Sequence, residues 1–248
     1  MASGQEGFAG GLNRRDFLRA GLLAGSAAIA GCAWDGGPLI RPKLAAISRM
    51  NDWVSEHVFL SGSRIAPEWP ASARSASMPN YHIAASTPLL EDPSAWALSV
   101  AGLVRKPMRL TLPMLQALPR VTYTVPHHCV EGWTTVATWT GAPVRAVAAL
   151  AAPTGDARYL RFDSFDRTPG GVPYYNGWDL KSAMHPQTIL AYAFNDRPLT
   201  PEHGAPVRLY SPGKLGYKLT KYLTVMTFTR ERPGGYWEDQ GYPWFGGV

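Results

Sequence analysis

The chain has 248 residues, 46% of them hydrophobic and 17% charged, with a formal net charge of +6. The basic residues are dispersed and no helix-turn-helix, zinc finger or aromatic–basic stripe accompanies them, which excludes nucleic acid as a partner and points the positive balance toward an anionic cofactor. Cys32 and Cys129 are the two cysteines, too few for the zinc and iron–sulfur patterns that need several thiolates at one site.

Residues 1–32 read as an export signal. Asn13 to Leu18 spell NRRDFL, a paired arginine ahead of an apolar run from Gly21 to Ala30, in the manner of a twin-arginine signal, which places the mature protein in the periplasm. The run is too short and too rich in Gly and Ala for a permanent spanning helix, which needs about 20 strongly apolar residues. Twin-arginine export carries folded proteins, so the signal by itself predicts a bulky cofactor inserted beforehand. Ile29-Ala30-Gly31-Cys32 also resembles a lipobox, in which the cysteine becomes the acylated first residue and a lipid anchor; the alternative is a plain small-residue cleavage region. Either way Cys129 keeps no partner, and no structural disulfide is expected despite the oxidising compartment. Three arginines and two acids before residue 32 account for +1 of the net charge, leaving +5 on a mature chain long enough for one domain with a sizeable core.

Residues 33–78 form an N-terminal extension or linker, with a short helix at Lys43 to Val58 and the loop-like stretch SGSRIAPEWPASARSASMP. From residue 79 to 248 short strand-like runs alternate with brief helical ones among most of the 22 prolines, giving a mixed α/β (α+β), β-rich domain. Strands are predicted at Ala95 to Val104, Val121 to Pro126, Tyr159 to Asp163, Val207 to Tyr210 and Tyr222 to Thr229, all rich in β-branched or aromatic residues. Helices are predicted at Leu112 to Leu118, Pro143 to Ala151 and Asp179 to Met184.

Cys129, in HHCVEGWTTVATWTG, follows a strand, where loop residues commonly carry function. With His127, His128 and Glu131 nearby it has the elements of a thiol nucleophile. A second reading is a soft metal ligand, where one protein thiolate suffices if an organic cofactor supplies the other sulfurs. A third is an inert core cysteine. The residues alone leave all three open.

HHCVEGWTTVATWTGAPV resembles the cysteine segment of the sulfite-oxidase-fold molybdenum enzymes, in which the cysteine ligates molybdenum held by a molybdopterin dithiolene. The second half, from PYYNGWDLKSAMHP through HGAPVR and the G-Y-K-x-x-K turn to TRERPGGYW, is similar to the same family in order. The likeness covers roughly residues 80 to 240. It is strongest to the periplasmic branch that includes the catalytic subunit of the methionine-sulfoxide reductase system. The resemblance implies a sulfite-oxidase-type molybdopterin-binding domain and a molybdenum–molybdopterin cofactor. Cys129 matches the molybdenum ligand and catalytic centre. Arg208 matches the arginine of GAPVR, and Leu219, Thr220 and Lys221 the segment after the G-Y-K turn. His203 stands where relatives carry asparagine, and Ser164 where they carry threonine. Asn80, Ile83 and Ala84 align with the N-terminal cofactor loop. A phosphate-bearing pterin needs fixed cations and close backbone, for which Arg208, Lys218 and Lys221, with Gly204, Gly213 and Gly216, are candidates.

The reaction implied is two-electron oxygen-atom transfer on a small or protein-bound oxidised substrate. The chain has no arginine between Arg74 and Arg105 and reads C-V-E-G-W where sulfite oxidases carry C-x-G-N-x-R. Sulfite oxidation is therefore the alternative, and S-oxide or N-oxide reduction is expected. No haem motif is present, so electrons are expected from a membrane haem subunit or a periplasmic cytochrome, with the aromatic GGYWEDQGYPWFGG tail either docking that partner or packing over the domain. With the sequence ending at Val248, the dimerisation domain of true sulfite oxidases is not expected. Two readings of other classes are a cysteine hydrolase and a non-catalytic lipoprotein that keeps only the fold.

Overall fold

The structure is a computed structural model that describes residues 37–58 and 65–248. The twin-arginine motif, the apolar run and Cys32 lie outside the described residues. The chain divides into two compact units, Met1–Met50 and Asn51–Val248. Helix α1, Gly37–Val58, begins six residues before the expected Lys43 and ends where expected. Its apolar residues Leu44, Ile47 and Trp53 are exposed, and no described helix is long and apolar enough to cross a membrane.

Ten strands follow: β1 (Ala97–Gly102), β2 (Met108–Thr111), β3 (Val121–His128), β4 (Thr134–Pro143), β5 (Tyr159–Arg167), β6 (Pro173–Asp179), β7 (Ile189–Phe194), β8 (Arg197–Pro198), β9 (Arg208–Tyr210) and β10 (Leu223–Thr229). Three short helices interrupt them: α2 (Leu112–Gln116), α3 (Val144–Ala151) and α4 (Leu180–Ala183). The strands make two sheets. One runs β2-β1-β10-β5-β6, with β1 parallel to β10 (Ser99 opposite Val225) and its other pairs antiparallel. The other runs β3-β4-β7-β8, with β9 also pairing β7, and is antiparallel throughout. One mixed and one antiparallel sheet with few short helices make the β-rich α+β architecture expected.

Alternation decides which side chains enter the core. Along β5 the inward positions are Leu160, Phe162, Ser164 and Asp166, so this face begins apolar and turns polar toward one end. Along β10, Leu223, Met226 and Phe228 point inward. Trp139 of β4 and Trp178 of β6 are almost wholly buried, and loss of either ring would cost about 3–5 kcal/mol. Asp179 caps α4 by accepting the Ser182 N–H at 2.6 Å, and Thr111 caps α2 by accepting that of Met114 at 3.4 Å.

The five predicted strands and all four predicted helices are present with shifted ends, whereas β2, β4, β6, β7 and β8 had no counterpart in the sequence reading. In β4 the last residue, Pro143, falls in the helix predicted to follow, and Gly141 is a residue that strands disfavour. Gly141 is required because a Cβ there would lie 2.3 Å from the Leu190 carbonyl oxygen on β7. Residues 65–78, read as linker, are hydrogen-bonded along the second sheet: Trp69 N–H donates to Thr124 O at 2.8 Å and Ser75 N–H to Val136 O at 2.9 Å.

Candidate functional site

Strand β3 sends Tyr123, Val125 and His127 inward and ends at His128, so Cys129 opens the turn that leads to β4. That turn closes on itself: Cys129 N–H donates to Trp133 O and Gly132 N–H to Cys129 O, each at 3.0 Å. Cys129 is half-buried and its thiol is pushed above the ordinary value, first by burial. Both neighbouring imidazoles make other contacts. His127 stacks on Trp133 and Tyr210 and is held neutral, at about 3, by burial and then by Arg208. His128 is engaged through Nδ1 with Thr134 Oγ1 at 2.9 Å. Glu131 accepts from Trp133 Nε1 at 3.2 Å, and the Tyr81 hydroxyl, hydrogen-bonded to Glu131, is raised chiefly by that carboxylate.

Arg208 begins β9 and is 4% exposed. Its guanidinium donates to the carbonyls of His203 (3.1 Å) and Leu219 (3.4 Å), while Nε has no hydrogen-bond partner. Burial lowers it to about 10. Lys221 donates to Glu202 O at 2.9 Å and is lowered to about 7, first by burial and then by Arg208. Among the described residues no carboxylate forms a salt bridge with either cation. His203 stacks on Phe194 at 4.3 Å, its Nδ1 meets Thr200 Oγ1 at 3.1 Å, and its buried Nε2 is unsatisfied. Burial, then the two cations, hold it below the usual histidine value. Gly204, at φ 96°, lets this loop close on Lys221, since a Cβ would sit 2.8 Å from that of Lys221.

The loop ahead of β1 is tied down by the polar end of β5. Asp166, 3% exposed, accepts the N–H groups of Ile83 and Ala84, each at 3.0 Å. Ser164 joins two segments, accepting from Asp166 N and donating to Lys221 O at 2.7 Å.

These segments, drawn from both sheets, enclose a cavity of about 370 Å³. Seven of the ten sequence-predicted residues line it: Asn80, Ile83, Cys129, His203, Arg208, Leu219 and Lys221. Ala84, Ser164 and Thr220 stand behind the wall, where Ala84 and Ser164 fix its loops and Thr220 is fully buried with an unpartnered hydroxyl. Lys218, expected among the cofactor cations, is instead fully buried in an ion pair with Glu238 and also donates to Gly177 O at 2.9 Å. The sequence reading missed Asp166, Tyr81, Tyr174, Trp237 and Tyr242. The alternation of FDSFDR places Asp166 on the inward face with Phe162 and Ser164, which was the one available signal. The tail packs over the domain, with Phe245 buried and Trp237 and Tyr242 on the cavity wall.

The donor set suits an anionic ligand rich in hydrogen-bonding groups: two cations without carboxylate partners among the described residues, and unsatisfied buried atoms at Arg208 Nε and His203 Nε2. Among the described residues no group of three or more His, Cys, Asp or Glu could hold a metal ion. A metal here would therefore take one thiolate from the chain and its other ligands from an organic cofactor, which is the chemistry of a molybdopterin dithiolene.

Comparison with known proteins agrees with this. The family described as oxidoreductase molybdopterin-binding domain matches residues 84–237. The chain is 36% identical over 236 residues, 94% of its length and 87% of the relative's, to the "Putative protein-methionine-sulfoxide reductase subunit YedZ1" of Azospira oryzae. Among solved structures, the sulfane dehydrogenase SoxCD of Paracoccus pantotrophus superposes with a TM-score of 0.53 at 22% identity, over 58% of this chain and 40% of that one, a likeness of fold. A match over more than half the sequence, with a relative alike along nearly its whole length, makes this chain a member of the oxidoreductase molybdopterin-binding domain family.

Proposed function

We propose that this oxidoreductase reduces S-oxides, with a methionine sulfoxide as the substrate class, using molybdenum–molybdopterin held in the cavity beside Cys129. Cys129 would ligate the metal through its thiolate. Arg208, Lys221 and His203 would bind the anionic and polar parts of the pterin, with Asn80, Ile83 and Leu219 along the wall and Ala84, Ser164 and Thr220 supporting it. When bound, the cofactor supplies two-electron oxygen-atom chemistry between Mo(VI) and Mo(IV). The net change takes two electrons and two protons to convert the S-oxide into a thioether and water.

The observation that carries this reading is the character of the wall around Cys129. Tyr81, Glu131 and Trp133 flank it, so the chain offers aromatic surface and a carboxylate there, whereas Arg208 and Lys221 belong to other segments of the wall. A neutral S-oxide with an apolar substituent suits aromatic rings, while sulfite, an anion, would meet Glu131 without a paired cation. The similarity to a relative named as a methionine-sulfoxide reductase subunit supports the same direction. The word subunit in that name supports a redox partner, which we assign to a membrane haem protein or a periplasmic cytochrome. Residues 1–32 would direct export to the periplasm, and residues 79–248 would form the cofactor-binding domain, with residues 65–78 of the preceding extension bound along its second sheet.

The test is molybdenum and pterin content, with turnover, in the protein purified from a molybdenum-replete host. Parent protein with about one molybdenum per chain should reduce methionine sulfoxide with a reduced viologen dye, and Cys129→Ala should keep its fold and lose turnover. Oxidation of sulfite in preference to S-oxide reduction would overturn the substrate assignment. Absence of both metal and pterin, in a host that loads a control molybdoenzyme, would overturn the cofactor assignment.

A further inference from the structure

Part of the cavity wall lies outside the residues shared with the family. The match ends at Trp237, and Tyr242, also on the wall, belongs to the C-terminal segment beyond it. Four residues from elsewhere in the chain, Asp52, Lys214, Tyr217 and Lys218, pin that segment. Asp52 accepts from the Arg232 guanidinium at 3.1 Å and from Phe245 N–H at 3.2 Å. Glu238 pairs with Lys218, both side chains at most 3% exposed. Lys214 donates to Phe245 O at 2.7 Å, and Tyr217 to Pro243 O at 2.6 Å. Lys214, Tyr217 and Lys218 come from the same G-K-L-G-Y-K turn that delivers Leu219 and Lys221 to the cavity.

Burying Lys218 with Glu238 is costly, because two ions lose their water and Glu238 Oε2 is left without a partner. An apolar pair of the same volume would bury as much surface without fixing where along the wall the tail sits. What a charged pair adds is register: Glu238 can neutralise Lys218 from one place only, which fixes Trp237, its immediate neighbour, on the wall. Tyr242 then packs on Trp237 and on Tyr217, with ring centroids 5.2 Å apart in each case.

We propose that the C-terminal segment is a latch that retains the molybdopterin cofactor, with Lys218 and Glu238 as the positioning pair that holds Trp237 and Tyr242 across the cavity. The latch rests on the reading of this cavity as the cofactor site. In a loop-built groove retention depends on what covers the ligand, so release should follow opening of the tail.

The experiment compares loaded parent protein with Glu238→Gln and with the double variant Lys218→Met/Glu238→Leu, which removes both charges and so leaves neither ion unpaired. Val147→Ala, in the core of α3 and absent from the cavity wall, serves as a control for general destabilisation. Pterin release is followed by fluorescence of its oxidised form after gel filtration, and tail opening by chymotrypsin cleavage after Tyr236 and Trp237. Both latch variants should release pterin at least tenfold faster than Val147→Ala and be cleaved faster in the tail. Release no faster than in Val147→Ala, or unchanged cleavage, overturns the latch. Parent protein that binds no pterin in the first place overturns the cofactor reading and retention with it, while cleavage still reports whether the ion pair holds the tail.

Discussion

The guanidinium carbon of Arg208 lies 4.9 Å from the centroid of the buried Trp139 ring, while its Nε is left without a hydrogen-bond partner. A ring face and two carbonyls stabilise the charge without neutralising it. Arg208 thus keeps its attraction for an anion, which a carboxylate partner would have cancelled.

Arg208→Met should therefore lower pterin content at least tenfold, the loss expected when a charge-assisted hydrogen bond of about 1.5–3 kcal/mol is removed. Arg208→Lys should restore only part of it, because lysine keeps the charge but lacks the planar fork. Pterin per chain, measured on folded protein of each variant, decides the matter. Equal loading in Arg208→Met would remove Arg208 from the binding set.

Lys221 imposes a pH dependence on the cofactor-free protein. Its folded-state value of about 7 lies below the unfolded value of about 10.5. Above the higher value both states are neutral there and the residue has no effect. As pH falls from about 10.5 to about 7 the unfolded chain binds a proton that the folded chain does not, so stability declines; below 7 the penalty is constant. Lys221→Met should be more stable than the parent at pH 7, and the gap should close toward pH 10. Urea midpoints of the two proteins across that range measure it, and a gap independent of pH would contradict the shift.

Asp166→Ala removes the acceptor for two backbone N–H groups at once. With both donors left in a half-buried loop, the cost should be about 2 kcal/mol. Hydrogen exchange should speed up at Ile83 and Ala84 before it does in β5. Exchange at those two amides that remained slow would show that the loop is held by something else.

At Gly204 the left-handed φ of 96° and the contact with Lys221 act together. Gly204→Ala should destabilise the protein by about 1–3 kcal/mol and displace Lys221, so pterin content should fall along with the melting temperature. A melting temperature within experimental error of the parent would mean that the loop can shift without cost.

The sequence by itself determined the mixed β-rich class, and it singled out Cys129 and the proposed ligand-binding residues as candidates. Those features are local: a thiolate after a strand, glycines in a turn, an arginine inside GAPVR. Only the tertiary structure decided which of those residues share a cavity. Lys218 and Lys221 are three positions apart in one turn, yet one is neutralised by Glu238 and the other faces the site without a carboxylate partner. Asp166 gave no chemical signal, because its part is to hold the Ile83 and Ala84 amides, 83 and 82 residues away in the chain. The missed strands have the same origin. Gly141 disfavours a strand when read locally, but it pairs with β7, which passes so close that a Cβ at 141 would collide with it. Pairing across long separations depends on what the far segment brings, and a single stretch of sequence carries no record of that.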